Sequence, residues 1–269
     1  MEWSKENLAE ALGATGRAVV DEGFTIAPAF EEENIHNFRV ATKKLRAMLR
    51  LVELGQGDVK AKLPKKFRKL YSLSGDIRDA QLLIKRAAKA DPAVPEYVQW
   101  LEAQKADAQK NFREVYDSAI IVKIEKRLKK IEPQALSMAV LKDFFTGHLA
   151  DVDHILHKKP LEEEDLHDIR KKLKDLQHVA RIAEEFWPEG LEAAGISQNL
   201  QSLEELTERA GDFNDRHNAL VSIEAFLAEN KEFKAAQELR DSWAAKKEKS
   251  RDKLMAEMGQ GELDALAGK

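Results

Sequence analysis

One helix-length segment, IHNFRVATKKLRAMLRLVE (Ile35–Glu53), carries one histidine, three arginines and two lysines, with no acid before Glu53. On a helical wheel advancing about 100° per residue, His36, Arg39, Lys43, Arg46 and Arg50 share a stripe about 80° wide. Phe38, Ala41, Leu45, Met48, Leu49 and Val52 take the other side as a core face. Like charges four residues apart cost about 0.2–0.5 kcal/mol per pair. Such a stripe needs an opposing charge, either acids on a neighbouring helix or a bound anion. Arginine offers phosphate oxygens a planar fork and lysine a mobile point charge, so the mixture suits phosphates. His36 can donate to the same anion, and a bound anion favours its protonated form.

The pattern recurs. In LHDIRKKLKDL, starting at Leu166, His167, Arg170 and Lys174 repeat His36, Arg39 and Lys43 at a separation of 131 residues, and Arg181 repeats Arg50. His178 falls on the same face. Between the copies, KLPKKFRKLYSLSGDIRD adds Lys65 and Lys69 on a face with Ser72, Asp76 and Asp79, and Arg78 can point into the same cleft. GDIRD (Gly75–Asp79) is itself echoed by GDFND (Gly211–Asp215). Gly75 and Gly211 are expected to allow close helix approach. Asp79 and Asp215 are expected to accept hydrogen bonds that orient the cationic side chains, a structural role. The runs Lys123, Lys126, Arg127, Lys130 and Lys246, Lys249, Lys253 are weaker stripes, of the kind usually found on solvated faces.

Other chemistries find little support. With no cysteine in the chain, disulfides, thiolate metal sites and cysteine nucleophiles are excluded. The phosphate-cradling, dinucleotide, serine-hydrolase and zinc-protease motifs are missing. HLADVDHILH places His148, Asp151, His154 and His157 at spacings that could hold a metal. A polar helix face with several histidines is commoner, so no metal and no cofactor is assigned. Phe67 and Tyr71 read as core positions, which leaves no aromatic stacking platform for single-stranded nucleic acid beside the stripe.

The elements that must position these residues read as all-α. The chain of 269 residues is 43% hydrophobic and 34% charged, with few aromatics, and apolar residues recur at three- and four-residue spacing without a convincing alternating strand. Helices are expected near 3–22, 31–54, 59–90, 94–115, 117–131, 135–157, 161–186, 196–211, 213–229 and 232–257, with breaks at GFTIAPAF, GQGD, DPAVP, Pro133, Pro160 and WPEGLEAAGIS. Two motif pairs in the same order, half a chain apart, argue for a duplicated unit, about 1–134 and 135–269, each half a bundle of four or so helices. No segment reaches the length of an apolar membrane span, and the acidic, amphipathic MEWSKENLAE is unlike a signal peptide, so a cytoplasmic protein is expected. Net charge is −4 overall, yet between His36 and Lys89 fifteen basic residues face four acidic ones. That distribution suits local capture of an anion on a surface that otherwise repels polyanions.

IHNFRVATKKLRAMLR, LSGDIRDAQLL, LHDIRKKLKDLQHVAR and AGDFNDRHNAL, in this order over roughly residues 30–230, resemble the CHAD family, the conserved histidine α-helical domain. The resemblance implies two pseudo-symmetric four-helix bundles around a basic central cavity that binds inorganic polyphosphate, often in association with polyphosphate granules. Some members are fused to a triphosphate-handling enzyme domain, and none is visible here, so this looks like a stand-alone member. The family's basic and histidine positions fall on His36, Arg39, Lys43, Arg46 and Arg50, and on His167, Arg170, Lys174 and Arg181. Gln177 stands where Arg46 would be echoed, Asp175 where Lys44 would be, and Asn214 where Arg78 would be. A weaker second wall is therefore expected. The expected function is non-catalytic polyphosphate binding, with the first stripe dominant. The rival readings are a histidine phosphotransfer module using His36, a nucleic-acid binder, and a scaffold for an acidic protein. The stripe is longer than one phosphoryl group needs, and the acidic overall charge and missing aromatics disfavour nucleic acid.

Overall fold

Capping chemistry decides where the helices begin and end. The computed structural model describes residues 1–258, and among them are ten α-helices and one two-stranded β pair. Helix α1 (Lys5–Ala29) starts where Ser4 Oγ accepts from the Asn7 amide at 3.2 Å. Helix α2 (Glu32–Gln56) carries Glu32 and Glu33 in its first turn, against the positive helix end, and stops at Gly57. There φ is 66°, a conformation glycine adopts without strain. Helix α7 (Glu163–Phe186) opens on a reciprocal cap between Glu162 and Asp165, with three acids in its first turn. Both stripe-bearing helices thus open on acids that suit the positive helix end, and α2 then carries no further acid until Glu53, whereas α7 has Asp168 and Asp175 among its cations.

The remaining helices are α3 (Lys65–Ala87), α4 (Pro95–Val115), α5 (Ser118–Leu128), α6 (Met138–Leu156), α8 (Pro188–Ala193), α9 (Leu200–Glu229) and α10 (Lys234–Glu257). Several expectations are corrected. Helix α1, expected to end near residue 22 at a break in GFTIAPAF, runs on through that segment to Ala29. The helix expected from residue 59 starts only at Lys65, after Pro64. The helices expected at 196–211 and 213–229 are not separate, and one 30-residue helix runs from Leu200 to Glu229. The segment WPEGLEAAGIS, expected as a break, contains α8, with Pro188 at its first position. In place of helix at residue 3, β1 (Glu2–Trp3) pairs antiparallel with β2 (Leu136–Ser137). Trp3 is fully buried and stacks on Trp187 with ring centroids 5.6 Å apart.

Helix α2 packs on α1, α3, α6 and α7, and α7 packs in turn on α6, α8 and α9. Helices α3 and α4 form one hairpin, α9 and α10 another. The largest hydrophobic cluster joins Phe38, Leu45 and Met48 of α2 to Ile169, Leu173 and Leu176 of α7. A second cluster joins Tyr97 and Leu101 of α4 to Ile223, Phe226, Leu239 and Trp243 of α9 and α10. Both clusters draw side chains from both halves of the chain. The apolar faces of α2 and α7 therefore hold the two helices together, and their cationic faces border the space between them. Among the described residues no helix is long and apolar enough to cross a membrane.

Candidate functional site

Helices α2 and α7, with Tyr71 of α3 and His148 of α6, enclose a cleft of about 640 Å³. Its lining holds eight lysines and arginines (Arg39, Lys43, Arg46, Arg50, Arg170, Lys171, Lys172 and Lys174), three histidines (His148, His167 and His178) and only two acids, Asp168 and Asp175. Three of the cations are already matched. Arg50 pairs with Asp175, Lys171 with Asp168 at 2.9 Å, and Lys172 with Asp151 at 2.5 Å. Among the described residues Arg39, Lys43, Arg46, Arg170 and Lys174 have no carboxylate at ion-pair distance.

Neutral groups hold three of these five, Arg39, Arg46 and Lys174, in place. Arg39 Nη1 donates to the Tyr71 carbonyl at 3.0 Å, and its guanidinium lies 4.8 Å above the Tyr71 ring. Arg46 shares that ring at 5.8 Å. A Cβ on Gly75 would come within 2.7 Å of Arg39 Nη1, so this glycine makes room for the guanidinium. Gly211 has no such neighbour, and its Cβ would meet open space. Lys174 Nζ donates to Gln177 Oε1 at 2.9 Å. His167 Nδ1 lies 2.7 Å from the Oδ1 of buried Asn214. The Nε atoms of Arg170 and the Nε2 of His178 are buried with no hydrogen-bond partner, at a cost of about 1–3 kcal/mol for each unsatisfied group.

Crowding of like charges shows in the proton affinities. Burial, then Arg170, Arg39 and Lys174, depress Lys43 to about 8, with Asp79 pulling the other way. Lys174 is depressed chiefly by burial and then by Arg170. Burial first, then Lys174 and Lys43, pushes His178 down to about 4, so it is neutral near pH 7. Each of these groups would be relieved by a negative charge in the cleft.

The remaining expected site residues lie outside this lining. His36 is exposed, and its imidazolium is disfavoured by partial desolvation first and then by Arg78 and Lys43. Arg78 does not turn into the cleft but pairs with Glu32 at 2.6 Å. Lys65 and Lys69 are exposed on α3. Arg181 is held by Glu184 and Glu204, both at 2.6 Å. Among the described residues the carboxylates of Asp79 and Asp215 make no hydrogen bond to a cation; Asp215 instead offers its backbone carbonyl to Arg86 at 3.0 Å. Desolvation, with Asp76 and Asp215 adding to it, raises the Asp79 carboxyl above its usual range, while Arg39 opposes. Tyr71, expected in the core, is a half-buried wall of the cleft. His148, considered only as a metal ligand, faces Asp175 at 3.9 Å. No spacing within the sequence announces either contact, because each depends on a neighbouring helix.

A comparison with curated proteins finds no match. The crystal structure of the CHAD domain from the plant Ricinus communis is similar to this one, with a TM-score of 0.70 at 14% identity over 99% of this chain and 91% of that chain. At that identity the likeness shows the fold. The CHAD domain family matches residues 17–220, a span that contains both stripes and every residue lining the cleft, and the chain belongs to that family.

Proposed function

We propose that this protein binds inorganic polyphosphate in the α2–α7 cleft and does so without catalysis. Five cations lacking a carboxylate partner among the described residues, with Lys43 and Lys174 depressed by burial and then by their cationic neighbours, carry the reading. A linear polyanion supplies the missing counter-charge and acceptors for the free Nε of Arg170. Membership of the CHAD family supports the polymer's identity, since that family is linked to polyphosphate. The reading includes a duplicated helical unit whose two copies frame a basic central cavity. It also includes an unequal division, with α2 contributing Arg39, Lys43 and Arg46 and α7 contributing Arg170 and Lys174. Residence in the cytoplasm, at polyphosphate granules, belongs to the same proposal.

The test is a polyphosphate titration of wild type beside the double variant Arg39→Glu/Arg46→Glu, with thermal melts to verify folding. Charge-assisted contacts are worth about 1.5–3 kcal/mol each, so the double reversal is expected to weaken binding at least about a hundredfold. Reversal of Lys126 and Arg127, which are outside the cleft, is expected to change affinity less than about threefold. Equal losses in the two variants would mean that the polymer binds to general positive charge, not in this cleft.

A further inference from the structure

A second cavity, of about 550 Å³, opens where the end of α3 and the α3–α4 turn meet α9 and α10. It shares no lining residue with the α2–α7 cleft. Its polar wall holds Lys85, Arg86, Lys89, Arg216 and Lys246 against the single acid Asp91. Lys85 shares the single carboxylate of Glu32 with Arg78, and Arg216 is paired with Asp212 at 2.9 Å. Arg86 spends one N–H on the Asp215 carbonyl, and among the described residues it, Lys89 and Lys246 have no carboxylate at ion-pair distance. Set against Asp91, these three leave a surplus of at least two positive charges, suited to an anion carrying at least two negative ones.

The rest of the lining is apolar. Leu239 and Trp243 belong to the second hydrophobic cluster. Leu82 is 36% exposed, one of few large apolar side chains left open to solvent, and it stands in this cavity. A bare phosphate chain gains nothing from such a wall, whereas a flat apolar group does. The volume lies within the range of about 300–1,000 Å³ typical of small-molecule sites. Asp79 and Asp215 line neither cavity. Asp79 feels Arg39 and Lys43 on the cleft side and Asp215 on the other, and the carbonyl of Asp215 holds Arg86. With these carboxylates close to Arg39 and Arg86 and no lining residue in common, the second cavity is taken as a separate site.

We propose that this second cavity is a nucleotide site, with the phosphates at Arg86, Lys89 and Lys246 and the base against Leu82, over the buried floor of Leu239 and Trp243. The site does not depend on the polyphosphate reading of the cleft. The test is calorimetric titration with ATP, and with inorganic tripolyphosphate as an anion of similar charge lacking the base. The proteins are wild type, Lys89→Glu/Lys246→Glu, Leu82→Asn and the cleft variant Arg39→Glu/Arg46→Glu. The two lysines and Leu82 are exposed, so these substitutions leave the core intact. ATP is expected to bind wild type and the cleft variant alike. It should bind at least about tenfold more weakly to the double lysine variant. Leu82→Asn is expected to weaken ATP several-fold and to leave tripolyphosphate unchanged. Three results would overturn the site: no ATP binding to wild type at millimolar concentration, ATP binding lost in the cleft variant and kept in the lysine variant, or equal effects of Leu82→Asn on both anions.

Discussion

A methyl group on Gly75 would meet Arg39 Nη1 at 2.7 Å, while one on Gly211 would meet nothing. Replacing glycine by alanine inside a helix ordinarily stabilises by about 1 kcal/mol. Gly211→Ala should show that gain as a rise in Tm of a few degrees, with polyphosphate affinity unchanged. At Gly75 the added carbon pushes the end of a flexible side chain off the Tyr71 carbonyl. Gly75→Ala is therefore expected to leave Tm nearly unchanged but to weaken binding about three- to tenfold. Lys43 supplies the pH dependence. Free, it titrates near 8 in place of 10.5, and a bound polyanion moves it back upward. Below pH 8 it is charged with or without ligand, so its full contribution is present. As pH rises from 8 toward the bound value, binding must bring its own proton, and affinity falls. Titrations are expected to show up to about a tenfold loss between pH 7 and 9.5. Lys43→Arg, which stays charged throughout that range, should flatten the profile.

Helices α2 and α7 carry the same motif with different consequences. In α2 the three cations Arg39, Lys43 and Arg46 stay unmatched. In α7 Arg170 and Lys174 stay unmatched, while Asp168 answers Lys171 and Asp175 reaches across to Arg50. Asp175 is thus an internal competitor for the ligand. Asp175→Asn removes that charge and releases Arg50, so affinity is expected to rise about three- to tenfold, measured as Kd at fixed salt. An unchanged Kd would mean that Arg50 and Asp175 lie outside the path of the polymer. The helices themselves were legible because their period and caps are local: the apolar rows of α2 and the acidic starts of α2 and α7 appear in the sequence as they stand in the fold. Arg39, Lys43, Arg46, Arg170 and Lys174 followed from the same period. What local sequence does not encode is the partner on another helix. Arg78 lies on the expected face of α3, yet Glu32 takes it. Arg181 repeats Arg50 by position and is claimed by Glu204 of α9. Tyr71 looked like core and became a wall because two arginines from α2 lie over it.

At the scale of the molecule, a net charge of −4 surrounds a cleft whose unmatched charge is positive. The two clusters, each built from both halves, fix the walls of that cleft relative to one another. A polymer entering it exchanges its condensed counterions for about five protein cations, and each exchange adds to the salt dependence of affinity. If inorganic polyphosphate behaves as a flexible single-stranded polyanion does, the slope of log K against log salt is about −0.7 per contact. Five contacts give a slope near −3.5, or about a hundredfold loss of affinity between 50 and 200 mM salt. The negative exterior keeps this number close to the count in the cleft, because little of the outer surface adds contacts. The slope also counts residues: Arg39→Glu/Arg46→Glu removes two contacts, so its residual binding should fall with salt at a slope no steeper than about −2. A slope near zero in wild type would sink ionic capture altogether. A steep slope unchanged in the variant would place the contacts elsewhere on the surface.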